Sequence, residues 1–119
     1  MSILGTRVLR REDEKFLTVG GTYVDDVVVP GAAWVVYVRS PVAHARIERT
    51  DLEQARGAPG VIDVVAGPDL GLAPLSPDSS FPQSMGRPLL AQGVVRFVGE
   101  PVVAVVANSR AEAVDAAEM

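Results

Sequence analysis

The stretch VVRFVGEPVVAVVANSRAEAVDAAE, residues 94–118, decides the fold of this chain. It holds two β-branched runs of strand length, 94–98 and 102–107, on either side of Gly-Glu-Pro at 99–101. Glycine and proline on either side of one residue are typical of a turn between strands. The stretch therefore predicts strand, turn and strand, and it makes Glu100 a candidate either for an active-site acid or for a sheet corner.

A helix follows the second run. Ser109 and Glu112 have the spacing of a capping box, in which each side chain satisfies a free N–H of the first helical turn. Small apolar residues then predict a helix face that lies close against a sheet. These residues are Ala111, Ala113, Val114, Ala116 and Ala117.

The preceding residues predict further elements from their apolar periodicity and turn signals. These are a short helix within 10–17, strands over 22–29 and 33–39 joined at Pro30-Gly31, a helix over 51–56 capped by Thr50, and a strand over 61–66. Residues 67–88 hold five of the nine prolines and predict a long loop. The order β-β-α-β-β-β-α lacks regular βαβ alternation. It predicts an α+β fold in which two main helices cover an antiparallel or mixed sheet.

Composition limits the class of protein. The 119 residues match one domain over 1–119, and the formal net charge of −4 gives no basic field for nucleic acid or anionic lipid. Without cysteine the chain forms no disulfide, thiolate nucleophile or self-held iron–sulfur cluster. No apolar run approaches membrane-spanning length and the amino terminus has no apolar leader segment, so we expect a cytoplasmic protein.

Candidate catalytic residues lack partners in the sequence. His44 is the sole histidine, so we expect a packed or hydrogen-bonded structural residue. Ser40 lies in RSPVAH, which is no nucleophile elbow. Asp25 and Asp26 would point to opposite faces of a strand, so we expect one of them to cap or bend it.

The remaining candidates also have structural interpretations. The glycines at 20–21 and 57–60 match no phosphate-binding loop and are turn residues. A set of arginines and aromatic residues could line a binding face, but exposed pairing and core packing are commoner. The set is Arg39, Arg46, Arg96, Trp34 and Tyr37. Glu100 has no companion acid or histidine, so we expect it to accept hydrogen bonds from backbone or arginine at a sheet corner. We name no catalytic, cofactor-binding or metal-ligating residue.

Five motifs in order resemble a known family. They are RED (11–13), GGTYVDD (20–26), RSPVAHARI (39–47), GV (60–61) and VRFVGEPVVAVVA (95–107). Together they resemble the amino-terminal α/β-hammerhead domain of the molybdenum-cofactor large subunit in the xanthine dehydrogenase, aldehyde oxidase and aerobic carbon monoxide dehydrogenase family. Val42 departs from the histidine or aromatic residue that family members often carry.

The resemblance implies where the chemistry lies. In the family the molybdopterin-type molybdenum cofactor belongs to later domains of the large subunit, and FAD and 2Fe–2S centres lie on other subunits or domains. The resemblance therefore implies no cofactor in this chain, and partners in the remaining large-subunit domains and in the FAD and iron–sulfur subunits. The chain ends inside a predicted helix, so we expect an excised domain or a short stand-alone relative. The leading hypothesis is a structural and assembly domain that is not catalytic alone; the alternative is a stand-alone oligomeric binding module.

Overall fold

The computed structural model describes residues 4–5, 10–78 and 80–119, and the expected absence of a leader segment falls partly outside them. These residues form two compact units, one up to Gly31 and one over Ala32–Met119. The prediction of one domain over 1–119 stays a prediction. The helices are α1 (Asp13–Thr18), α2 (Glu53–Arg56) and α3 (Arg110–Ala117); the strands are β1 (Trp34–Arg39), β2 (Ala45–Arg46), β3 (Val61–Ala66), β4 (Val94–Val95) and β5 (Pro101–Ala107).

The main sheet has the order β1-β5-β3, and β2 pairs with β4 in a second, two-stranded sheet. Every strand pair in the described part of the chain is antiparallel. β5 is central because it is apolar along its whole length and can bury both of its faces. The predicted α+β class is confirmed.

The core lies between one face of the main sheet and helices α2 and α3. Val64 of β3 and Val105 of β5 are each 1% exposed, and Ala113 and Ala116 of α3 pack over them. Alanine lets the helix backbone approach the sheet closely, and each fully buried valine stabilises the fold by about 1.5–3 kcal/mol. The predicted small-residue face is wrong for Ala111 and Val114, which are both exposed because they lie on the solvent side of α3.

The capping residue of α3 is confirmed. The Ser109 hydroxyl accepts a hydrogen bond from the Glu112 N–H at 3.3 Å. The second bond differs from that of the predicted capping box: the Glu112 carboxylate accepts from the Ser109 hydroxyl at 2.7 Å and not from the Ser109 N–H. A serine cap of this kind contributes about 1 kcal/mol.

The predicted start of α2 is wrong. The helix begins at Glu53, and no side-chain bond from Thr50 caps it. Asp51 takes this place, since its carboxylate accepts from the Glu53 N–H at 3.4 Å. The Arg49 guanidinium, which hydrogen-bonds the same carboxylate, and the Glu53 N–H together hold the pKa of Asp51 below its usual value. The predicted end of the helix is confirmed at Gly57.

The first unit differs from the predicted hairpin. Helix α1 is confirmed, but the predicted strand over 22–29 is wrong, because a 3-10 turn occupies Val24–Asp26. The Asp26 carboxylate accepts from the Tyr23 N–H at 2.8 Å, and this local bond competes with strand pairing. Asp26 is thus the capping residue of the acidic pair, in a turn instead of a strand.

The long loop is partly ordered. It contains 3-10 turns at Gly67–Leu70 and Gln83–Met85, and Leu75 and Arg87 exchange backbone hydrogen bonds of 2.8 and 3.2 Å. The predicted strand over 94–98 is shorter, since only β4 pairs, with the two residues of β2. The predicted element order is observed after α1, although β2 replaces the strand predicted over 22–29.

Replacement of Gly60 by alanine tests the packing between β3 and α3. Gly60 has φ +76°, and an added Cβ would overlap the Glu112 carboxylate. We expect Gly60→Ala to lower the free energy of unfolding by about 2–3 kcal/mol, since backbone strain adds to loss of the Ser109 cap. Urea titration measures this quantity. Gly71→Ala is the control, since Gly71 has φ +63° with open space around it and a cost of about 1 kcal/mol; equal losses at both positions would contradict the account.

Candidate docking surface at the sheet corner

Three hydrogen bonds to main-chain carbonyls join the end of β1 to the start of β5. The Ser40 N–H donates to the Glu100 carbonyl at 2.9 Å, and the Gly99 N–H donates to the Ser40 carbonyl at 2.8 Å. Arg39 Nη1 donates to the Gly99 carbonyl at 2.9 Å. Gly99 has φ +87°, which a residue with a Cβ adopts only at a cost. We call this arrangement of Arg39, Ser40, Gly99 and Glu100 the corner.

The Ser40 hydroxyl belongs to the corner as well. It donates to the Val42 carbonyl at 2.8 Å and accepts from the Val42 N–H at 3.2 Å, and the residue is 5% exposed. Both functions of the hydroxyl are used by the turn that follows β1. That Ser40 is no nucleophile stays a prediction.

Glu100 is a buried acid whose oxygens are both satisfied. The residue is 4% exposed, and its carboxylate accepts from the Arg96 N–H and from Arg96 Nη1, the latter at 3.3 Å. A buried carboxylate is stable only with such partners. The expectation that Glu100 accepts bonds from backbone and arginine at a sheet corner is confirmed.

The other sequence candidates do not converge on a site. His44 is exposed and makes no hydrogen bond or ion pair with another described residue, so the prediction of a packed or bonded histidine is wrong. His44 lies immediately before β2, a two-residue strand that contributes no residue to the core between the main sheet and the helices. Arg46 is exposed on the same strand. Within the described ranges, no three His, Cys, Asp or Glu residues are grouped as metal ligands.

The face of the main sheet opposite α2 and α3 is apolar except for the exposed Asp63 of β3, which pairs with Val106. We call it the outer face, formed by Val35 and Tyr37 of β1, Ala104 and Val106 of β5, and Val65 of β3. Val35 and Tyr37 are 47% and 45% exposed, although they pair directly with the central strand. Trp34, on the helix side of β1, is also about half exposed. A contiguous exposed apolar surface of this kind marks an interaction site.

A cavity of about 400 Å³ opens on the outer face. It is lined by Tyr37, Leu70, Leu72, Leu89, Leu90, Pro101 and Ala104. The leucines come from the loop and the residues just after it, so the loop extends the apolar surface beyond the strands. Sequence reasoning missed these residues; the available signal was the presence of leucines in an otherwise proline-rich segment.

A comparison with protein families identifies the fold. The model for the "Aldehyde oxidase and xanthine dehydrogenase, a/b hammerhead domain" matches residues 18–119. The chain belongs to this family. The resemblance that the five motifs indicated is confirmed, and the hammerhead domain is part of the molybdenum hydroxylase family.

Relatives of known activity share the whole domain. The hammerhead domain is 42% identical to the nicotine 6-hydroxylase large subunit of Paenarthrobacter nicotinovorans, across 99% of this chain and 15% of the relative. It is 39% identical to the carbon monoxide dehydrogenase large chain of Afipia carboxidovorans, across 98% of this chain and 14% of the relative. The domain thus spans about one seventh of the length of these relatives.

Solved structures share the fold. The crystal structure of quinoline 2-oxidoreductase from Pseudomonas putida 86 is 46% identical with a TM-score of 0.83, over 96% of the hammerhead domain and 15% of that chain. Among the described residues of the present domain, no helix has the length and apolar character needed to cross a membrane.

Variants at Glu100 and Arg96 compare the contribution of the buried hydrogen bonds of Glu100 to stability with that of its ion pair. We expect Glu100→Gln to lower the free energy of unfolding by about 2 kcal/mol, because an amide accepts less strongly and turns an NH₂ group toward Arg96. Arg96→Gln keeps the Arg96 N–H and removes a half-exposed guanidinium, so we expect a loss below about 1 kcal/mol. Urea titration of both variants measures the difference. A larger loss for Arg96→Gln would contradict this assignment.

Proposed function

We propose that this hammerhead domain is a structural and assembly domain of a molybdenum hydroxylase large subunit, and that it docks through its outer face. The observation that carries the proposal is the exposed apolar surface on a main-sheet face that neither α2 nor α3 covers. A domain that spans 15% of a related large subunit has ample polypeptide to dock against in such an enzyme. Docking would bury the half-exposed Val35 and Tyr37.

The energetics favour a stable contact. Burial of apolar surface contributes about 25 cal/mol per Å², so complete burial of one valine and one tyrosine ring is a substantial contribution. The cavity of about 400 Å³ offers a recess into which an apolar side chain of the covering domain can insert. Permanent interfaces are apolar in this way, like a domain core cut in half.

We infer that the redox chemistry lies outside this chain, and the side chains available in it support the inference. The chain has no cysteine for an iron–sulfur cluster, and the described residues assemble no three-ligand metal cluster. Glu100 and Ser40, the best-placed acid and hydroxyl, are both used by the corner. We therefore assign the molybdopterin cofactor to the remaining large-subunit domains, and FAD and 2Fe–2S centres to partner subunits, in a cytoplasmic complex.

The names of the relatives support a role beside partner subunits. Two of them are designated a large subunit and a large chain, and a third is the gamma subunit of the 6-hydroxypseudooxynicotine dehydrogenase complex. A solved neighbour is named a Cu,Mo-CO dehydrogenase. These names describe those proteins, and we extend to this chain only the role of a component in such an assembly.

A second candidate function is a stand-alone oligomeric binding module. β1 and β3 are both edge strands of the main sheet, and an edge strand can pair with a second copy. Sedimentation equilibrium of the 119-residue chain distinguishes the two functions. A stable homo-oligomer favours the module, and a monomer favours the docking domain.

Charge placed on the outer face tests docking. We expect Val35→Asp, introduced into the complete large subunit, to reduce the recovery of assembled, molybdenum-containing enzyme at least tenfold, because the carboxylate would be buried without a partner. Val114→Asp is the control, since Val114 is also an exposed valine and lies on α3. Size-exclusion chromatography with molybdenum analysis measures recovery. Wild-type recovery of Val35→Asp would overturn the proposal.

A further inference from the structure

A second cavity, of about 270 Å³, opens at the corner. Two arginines and several apolar side chains line it. Among the lining residues are Arg39, Arg87, Leu75, Leu89, Phe97 and Pro101. We call this cavity the arginine pocket.

The two arginines of the pocket lack acidic partners within the described ranges. Arg39 is held in place, because Nη1 donates to the Gly99 carbonyl and its Cζ lies 5.4 Å from the centroid of the Tyr37 ring. The Arg87 backbone is fixed by its two bonds to Leu75, while its side chain makes no hydrogen bond or ion pair with another described residue. Glu100 is the one acid among the lining residues, and Arg96 already neutralises it.

The arginine pocket therefore has a local positive charge in a chain whose formal net charge is −4. A planar guanidinium matches a carboxylate through two parallel hydrogen bonds, so an uncompensated arginine selects this partner. Leu75, Leu89 and Phe97 are about half exposed, and a bound chain would bury them. Removal of water from such walls strengthens the ion pair relative to one on an open surface.

The arginine pocket is continuous with the outer face. Leu89 and Pro101 line both the pocket and the cavity of the outer face. Tyr37, which Arg39 covers, also lines that cavity. The arginine pocket and the cavity of the outer face share a wall. A domain that covered the outer face would therefore have residues next to the arginine pocket.

We propose that the arginine pocket receives an aspartate or glutamate side chain from the large-subunit domain that covers the outer face. The proposal rests on the proposed docking function and names the chemistry of the partner at one point of the interface. In this interface the outer face contributes most of the buried apolar surface. The arginine pocket determines the position and orientation of the covering domain, because a single carboxylate is held between two arginines.

Zero-length cross-linking in the complete large subunit tests this pairing. The Arg87→Lys variant places an amine at position 87, and a water-soluble carbodiimide joins it only to a carboxylate in direct contact. Within these 119 residues Lys15 is the one native lysine, so a link that starts at position 87 is readily assigned. We expect mass spectrometry to find position 87 linked to an aspartate or glutamate outside residues 1–119 of the same subunit.

Arg110→Lys is the matched control, because Arg110 is exposed at the start of α3. We expect no link from position 110 to the carboxylate that position 87 finds. A link from position 87 to a second copy, to a residue within 1–119, or to nothing overturns the proposal. If Val35→Asp blocks assembly while position 87 stays unlinked, only the carboxylate proposal fails; if Val35→Asp also assembles normally, the docking function fails with it.

Discussion

The backbone bonds between Ser40 and residues 99–100 are the constraint on which the rest of the structure depends. They fix the end of β1 to the start of β5, and β5 is the central strand with which both edge strands pair. The buried Glu100 carboxylate closes the preceding turn by accepting from the Arg96 N–H. The acid between glycine and proline thus has a structural role in which each of its carboxylate oxygens accepts a hydrogen bond from Arg96.

The corner also determines what the domain presents to a partner. It holds Arg39 beside Tyr37, and it brings the arginine pocket and the apolar cavity of the outer face against a common wall of Leu89 and Pro101. The helix side of the sheet stabilises the domain internally, since its valines and alanines are buried by α2 and α3. The outer side has the half-exposed Val35 and Tyr37, and it is the face on which the docking proposal rests.

Sequence patterns predicted the elements whose signals are local and strong. β3, β5 and α3 were predictable because continuous β-branched runs and the Ser109 cap act within a few residues. The strand predicted over 22–29 was wrong because the Asp26 carboxylate accepts from the Tyr23 N–H and closes a local turn, which composition does not reveal. β2 and β4 were not predictable as a pair, since each has two residues and depends on a partner about fifty positions away. The outer face follows from strand alternation, but the arginine pocket depends on loop residues that only the tertiary structure brings together.

The central claim is that this domain lies beside a redox site and does not contain one. The most direct measurement is the molybdenum content of the purified 119-residue chain, determined by inductively coupled plasma mass spectrometry, together with its dye-linked oxidation of aldehydes, purines and carbon monoxide. The account predicts no stoichiometric molybdenum and no turnover above a protein-free blank, because neither the acid nor the hydroxyl of the corner is available for chemistry. One molybdenum per chain, or turnover by the chain alone, would contradict it.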